Sequence, residues 1–264
     1  MLTDLLENIR KKTPRVHCIS NYVTANDCAN LLLAVGASPV MADDPMESAE
    51  ITACCGALTL SLGTPSTRRL EAIYLSAQAA KEKGIPVILD PVGVTVSTLR
   101  RNAARDLLKS GAVRVIRANA SEIRVLAGEE TACGLEARDE GDTAVEAAKR
   151  LAAETSSVVV MTGETDVITD GRRICRVYNG RAIQRSITGA GCQLTALLGA
   201  FAAANPERIY ESAIAGTCMM GLCAEIAEGR MSPLEGNASC RGYIIDAAYR
   251  MTGKQLKEGA RYEM

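Results

Sequence analysis

Lys81-Glu82-Lys83-Gly84-Ile85-Pro86-Val87-Ile88-Leu89-Asp90 is the stretch on which the fold turns. Its first half ends a helix that opens at Thr64-Pro65. Cations crowd the last turn, where the helix dipole favours them, and Gly84 closes it. Its second half, residues 86–90, is a short apolar run that reads as a strand. The same alternation repeats on both sides. Runs at 16–19, 39–41, 57–61, 113–116 and 157–161 read as strands, and helical patterns lie between them. Asp44-Pro45-Met46-Glu47 offers an N-cap, a proline at the first helical position and a glutamate at the third. Strands and helices alternating at this spacing build βαβ units, hence an α/β fold with a mostly parallel central sheet and helices on both faces.

The pattern changes after residue 162. Runs at 166–169, 172–178 and 181–184 are separated by Asp170-Gly171 and Asn179-Gly180, both hairpin signals, so antiparallel strands should finish one edge of the sheet. After Gly191 the chain reads as helical almost to its end, over 192–204, 206–228 and 238–252. At the other end Leu2, Leu5, Leu6 and Ile9 recur at i, i+3, i+4 and i+7, with acids early and bases late. That is an amphipathic helix matched to its dipole. No linker, internal repeat or low-complexity run breaks the chain, and the expectation is one domain spanning 1–264.

The 264 residues carry 30 basic and 31 acidic side chains, a net charge of −1. This balance leaves no electrostatic footprint for nucleic acid or an anionic membrane face. Seven Tyr, one Phe and no Trp make base-stacking platforms scarce as well. A secretory signal needs the opposite charge layout to the N-terminal helix. The most apolar stretch, residues 187–204, is short for a membrane span and contains Gly, Thr and Gln. A cytoplasmic location and a small-molecule partner are expected. The ten cysteines (18, 28, 54, 55, 133, 175, 192, 218, 223 and 240) contain no C-x-x-C, and His17 is the only histidine. Neither a zinc site nor a disulfide framework is expected, and most of these thiols read as small hydrophobes.

In such a sheet a ligand lies beyond the carboxyl ends of the strands. Weight therefore falls on Ser20-Asn21-Tyr22, Met41-Ala42-Asp43, Leu62-Gly63-Thr64, Asp90-Pro91-Val92-Gly93, Arg117-Ala118-Asn119 and Thr162-Gly163-Glu164. The most informative segment is Ser186-Ile187-Thr188-Gly189-Ala190-Gly191-Cys192-Gln193-Leu194-Thr195. A strand leads into a Gly-Ala-Gly turn that opens a long apolar helix. The first N–H groups of that helix are unpaired and its dipole adds positive charge, so an anion, phosphate above all, is stabilised there. The glycines let backbone approach the ligand. A plain tight turn is the other reading. The segment lacks the lysine of a Walker loop, and it follows hairpins where a dinucleotide fingerprint would open a βαβ unit. Cys192 sits in the first helical turn, where a thiol pKa tends to fall.

Five motifs then occur in order: His17-Cys18-Ile19-Ser20-Asn21-Tyr22-Val23-Thr24, Gly36-Ala37-Ser38-Pro39-Val40-Met41-Ala42-Asp43, Leu89-Asp90-Pro91-Val92-Gly93, Arg117-Ala118-Asn119-Ala120-Ser121-Glu122-Ile123 and Thr188-Gly189-Ala190-Gly191-Cys192. With them the chain resembles the hydroxyethylthiazole kinase family of the ribokinase-like superfamily. The resemblance implies ATP- and Mg²⁺-dependent phosphorylation of the hydroxyl of 4-methyl-5-(2-hydroxyethyl)thiazole in thiamine salvage. It also implies a homotrimer with substrate sites between subunits. By the same resemblance Met41 and Gly189 contact the thiazole with Asn21 close by, Arg117 and Thr162 contact ATP, and Asp90 and Glu122 help place Mg²⁺. Gly189, Ala190, Gly191 and Cys192 would serve the transfer itself. Many ribokinase-like relatives carry an aspartate base where this chain, like the thiazole kinases, has Cys192.

Each of these residues also has a local reading. Asp90 before Pro91 is a strand-end turn former, although a carboxylate there can hold Mg²⁺ through water. Glu122, three residues after Asn119, completes a capping box, which does not prevent it from facing a metal's water shell. Arg117 is either a solvated strand-end cation or a nucleotide contact. Met41 taken alone reads as core, and Asn21 as a turn former before a helix at Thr24. His17, inside a strand, reads as a hydrogen-bonded structural residue and stays outside the site. Cys192 is expected to assist without being indispensable, because phosphoryl transfer passes through a loose transition state in which positioning dominates. The rival readings are another ribokinase-like enzyme (a hydroxymethylpyrimidine or pyridoxal kinase, or an ATP-using hydratase repair enzyme), a non-catalytic binding protein, and a distant NAD-linked oxidoreductase.

Overall fold

Val87, Ile88 and Leu89 are apolar in succession because both faces of their strand are covered. Ile88 joins one hydrophobic core while Val87 and Leu89 join the other, as the period-two geometry of a strand requires. The computed structural model describes residues 2–129 and 141–264, so Cys133 lies outside the described residues. In chain order the elements are α1 (Leu2–Lys12), β1 (Arg15–Ile19), α2 (Ala25–Val35), β2 (Ser38–Val40), α3 (Ser48–Ala53), β3 (Ala57–Ser61), α4 (Thr67–Lys83), β4 (Val87–Asp90), α5 (Thr98–Lys109), β5 (Val113–Asn119) and α6 (Ala120–Leu126). They continue with α7 (Asp142–Thr155), β6 (Val158–Thr162), β7 (Asp166–Thr169), β8 (Ile174–Val177), a 3₁₀ turn (Ala182–Ser186), α8 (Ala190–Ala204), α9 (Ile209–Arg230), α10 (Asn237–Arg250), α11 (Gly253–Gly259) and β9 (Tyr262–Glu263).

The described strands form one sheet in the order β2-β1-β3-β4-β5-β6-β7-β8-β9. Pairing is parallel from β2 through β6 and antiparallel from β6 through β9. Helices α1, α2, α8, α9, α10 and α11 bury their apolar sides in one core, and α4 to α7 in the other. The chain leaves β1 for β2 on one side and returns to β3 on the other. This change of direction opens a crevice beyond the carboxyl ends of β1 and β3, where an open α/β sheet takes its ligand. Helix α8 packs across β1, β3 and β4 at that point.

Much of the local punctuation holds. Gly84 ends α4 in the left-handed region at φ +68, as the basic last turn before it indicated. The run expected at 238–252 is α10, Asn237–Arg250, and a capping box of Thr252 and Gln255 then starts the further helix α11. Three expectations need correction. The helix after Asp44-Pro45 starts at Ser48, because Asp44 closes a turn of its own: its Oδ1 accepts from the Met46 amide and its carbonyl from Glu47 and Ser48. Ser66, not Thr64, caps α4, accepting from the Arg69 amide. The strand expected at 181–184 is a 3₁₀ turn, and β9 pairs with β8 in its place. The physical reason lies in Asn179. Its amide donates to Glu225 and to the Gly259 carbonyl, and its Oδ1 accepts from the Arg261 amide, so it is tied to α9 and the C-terminus and forms no hairpin.

Candidate active site

Asp90 ends β4 and is fully buried. Its Oδ2 lies 2.6 Å from Nη2 of Arg117 on β5 and 3.3 Å from the Cys192 thiol, which donates to it. Arg117 Nε donates to Thr195 Oγ1 at 3.2 Å, and that hydroxyl stands 3.2 Å from the Gly191 carbonyl, one turn back along α8. Three elements thus meet around one buried ion pair. Burial alone would lower the Arg117 pKa, but the Asp90 and Glu122 carboxylates outweigh it and raise it, so the guanidinium is a fixed cation.

The start of α8 lies directly on that cation. A Cβ at Gly191 would stand 2.6–2.8 Å from the Arg117 guanidinium, so only glycine allows the approach. Gly189 has φ +85, and a Cβ there would run into Thr24 Cγ2. The Ala190 amide donates to Ile187 and the Gln193 amide to Gly189, while helix geometry leaves the Gly191 and Cys192 amides without backbone acceptors. Ala190, Gly191 and Leu194 face a cleft of about 720 Å³, whose other walls include Arg117, Asn119, Thr162, Asn179, Arg181 and Met220. A dipole end, the free Gly191 amide and a fixed guanidinium converge on one side of that cleft, which is the chemistry of an anion site.

Cys192 turns to the opposite side, towards a cavity of about 10 Å³ shared with Ser20, Cys28, Ser61 and Asp90. Asn21 Nδ2 donates to Cys192 Sγ at 3.3 Å and to Ser61 Oγ at 3.4 Å. The Oδ1 of Asn21 meanwhile accepts from the Val23 and Thr24 amides, so the turn role and the site role are both filled. The thiol pKa is pushed up to about 11, first by burial and then by the Asp90 carboxylate, against the pull of Arg117. This reverses the expectation of a lowered value at a helix start: desolvation outweighs the dipole.

Glu122 forms the capping box with Asn119. Its Oε1 also accepts from the Gly93 amide at 3.0 Å, which links the loop after β4 to the start of α6. Burial raises its pKa, with Arg117 opposing. Thr162 stands at the end of β6 on the cleft wall, donating to the Ala118 carbonyl. The fold therefore brings Asn21, Asp90, Arg117 and Gly189 to Cys192 into one bonded cluster, with Glu122 beside it and Thr162 lining the adjoining cleft. Met41 stands apart, partly exposed just beyond β2. Sequence reasoning missed Thr195 and Ser61. Thr195 was within reach, since it falls four residues after Gly191 and so on the same helix face. Ser61, inside β3, gave no local signal.

A mostly parallel sheet with antiparallel edge strands, helices on both faces and a helix start at its switch point is the architecture of the ribokinase-like small-molecule kinases. Residues 6–254 match the hydroxyethylthiazole kinase family. A hydroxyethylthiazole kinase of Clostridium acetobutylicum is 42% identical over 271 aligned residues, covering 100% of this chain and 99% of that protein. The solved structure of the hydroxyethylthiazole kinase protein from Pyrococcus horikoshii superposes with a TM-score of 0.88 at 30% identity, covering 99% of this chain and 98% of that one. An ADP complex of Bacillus subtilis pyridoxal kinase shares the fold at a TM-score of 0.60 and 19% identity, over 84% of this chain and 94% of that one. The chain belongs to the hydroxyethylthiazole kinase family.

Proposed function

We propose that residues 1–264 act as one cytoplasmic kinase domain that transfers the γ-phosphoryl group of ATP to the primary alcohol of 4-methyl-5-(2-hydroxyethyl)thiazole, as in thiamine salvage. One observation carries this reading: the start of α8 lines the cleft through Ala190 and Gly191 together with Arg117, while Cys192, next in the chain, is bonded to Asn21 and Asp90. The nucleotide phosphates would lie on the cleft side against Gly191, Arg117 and Thr162. The alcohol would approach Cys192 from the Asn21 side, with Gly189 and Met41 against the thiazole. A loose transition state gathers charge on the transferred oxygens, and amides preorganised by a helix start stabilise it without reorganising. Cys192, a neutral thiol at physiological pH, orients the hydroxyl for in-line attack, and positioning of that kind lowers the barrier even without full deprotonation.

Mg²⁺ suits the carboxylates. Asp90 Oδ1 is buried without a hydrogen-bond partner among the described residues, and each Glu122 oxygen accepts a single amide, so lone pairs are left. Mg²⁺ keeps several waters and takes one or two carboxylates plus phosphate oxygens, so Asp90 and Glu122 would hold it through water, where it neutralises phosphate charge. A homotrimer with shared sites would give Met41 its role. Tyr22, Val23, Met46, Val96 and Leu99 are exposed around the same carboxyl-end rim, an apolar collar that a second copy would cover. Incubation with hydroxyethylthiazole, ATP and Mg²⁺, followed by mass detection of the phosphate ester, tests the reading. ADP release with pyridoxal or hydroxymethylpyrimidine and none with the thiazole would reject it.

A further inference from the structure

His17 is fully buried in the middle of β1, between Val40 of β2 and Leu58 of β3. Its neighbours Val16 and Cys18 pack into one core, so its ring points to the opposite face. An apolar side chain would fill that space at lower desolvation cost; a buried imidazole is tolerated only where its nitrogens are bonded. Both are. Nε2 lies 2.8 Å from the Ala42 carbonyl and Nδ1 2.7 Å from Thr52 Oγ1 on α3. A carbonyl can only accept, so Nε2 carries the proton; with the ring neutral, the Thr52 hydroxyl turns its single proton to Nδ1, the Ser48 carbonyl at 2.9 Å being its alternative acceptor. Burial also lowers the ring's pKa, in keeping with the neutral form.

Ala42 directly follows Met41. The loop after β2 is tied again one residue further on, where Asp43 Oδ2 accepts from Arg69 of α4 at 2.6 Å. Nη1 of the same Arg69 donates to Thr64 Oγ1 at 2.9 Å, and Thr64 is a non-glycine residue at φ +45. The loops after β2 and β3 are thus clamped to each other, with His17 holding the inner end of the clamp.

We infer that His17 is a positioning residue for the substrate: its Nε2–H fixes the Ala42 carbonyl, and so the place where Met41 meets the thiazole. The inference rests on the proposed thiazole kinase reading. It sets the thiazole side of the reaction apart from the nucleotide side, because neither His17 nor its partners touch the cleft of Arg117 and Thr162.

Steady-state kinetics on the full chain tests it. Wild-type turnover of hydroxyethylthiazole establishes the underlying activity, and its absence would overturn the thiazole assignment and this inference with it. Given turnover, His17→Leu should raise KM for the thiazole alcohol about tenfold, with kcat and KM for ATP within about twofold of wild type. His17→Gln, whose amide nitrogen can reach the same carbonyl, should bring the thiazole KM back to within about threefold. Thr52→Val, close to isosteric, should move KM in the same direction as His17→Leu, and Thr52→Ser should not; this pair decides if His17→Leu does not fold. An unchanged thiazole KM in the folded His17→Leu or Thr52→Val protein would overturn the inference. So would a joint loss of kcat and of affinity for both substrates that His17→Gln fails to repair, since that is the mark of general structural damage.

Discussion

Cys192 is held as a thiol by the surroundings that place it in the site. Burial and Asp90 push its pKa up to about 11, so between pH 6 and pH 9 the protonated form dominates. Alkylation of Cys192 by iodoacetamide, followed by peptide mass spectrometry, should therefore accelerate about tenfold per pH unit from 7 to 10 with no plateau; a plateau near neutrality would mean a thiolate. In the proposed reaction Cys192 would orient the hydroxyl as a neutral group, which does less than a full base, for which about 10²–10⁴-fold is typical. Cys192→Ala should accordingly slow kcat by about 10- to 100-fold while ATP binding by calorimetry stays at wild-type strength. Cys192→Asp should remain active but gain an acid limb in its pH–rate profile. A carboxyl buried beside Asp90 has its pKa raised, so its charged form is lost as pH falls through a value above the usual ~3.9. At the same scale, Arg117→Ala leaves the Asp90 charge buried and unpaired. Urea unfolding should report a loss of about 3–5 kcal/mol.

Helix α8 joins scaffold to chemistry. Its N-terminal turn needs Gly189 for the left-handed backbone and for the contact with Thr24, and Gly191 for the contact with Arg117. Gly189→Ala should destabilise the protein by about 1–3 kcal/mol and lower kcat, because the turn must move away from Thr24. The double variant Gly189→Ala/Thr24→Ser, which removes the clashing methyl, should recover part of both losses. This element was readable from its residues alone, since a Gly-Ala-Gly turn before an apolar run is a local signal. The segment just before it was not. Asn179-Gly180 has the composition of a hairpin, yet Glu225, Gly259 and Arg261, from 45 to 82 residues away, take up its polar groups. No window of neighbouring residues carries that information.

Across the whole molecule, the C-terminal strand reaches back to support the cleft. Arg261 pairs with Glu225 at 2.7 Å, receives the Tyr178 amide on its carbonyl and donates its own amide to Asn179. Ending the chain at Ala260 should loosen the wall formed by Asn179 and Gly180. The expected result is KM for ATP raised about threefold to tenfold with a smaller change for the alcohol; equal changes in both would argue for general unfolding. The exposed collar around the carboxyl-end rim belongs to the same scale. Light scattering should give a mass of three chains, and charged substitution at Val96 or Leu99 should lower both that mass and activity.

The parallel sheet, the helix faces and the glycine turn that opens α8 followed from the sequence by itself, because periodicity and glycine placement act over a few residues. The motif set also singled out Asn21, Asp90, Arg117, Glu122 and Cys192 before their contacts were known. Only the tertiary structure decided that β9 rather than residues 181–184 pairs with β8, that His17 grips the loop behind Met41, and that the Cys192 pKa rises where a helix start alone would lower it. Each of these depends on which distant group is brought near and on how much water is excluded. Burial and long-range pairing are properties of the packed chain, not of any stretch within it.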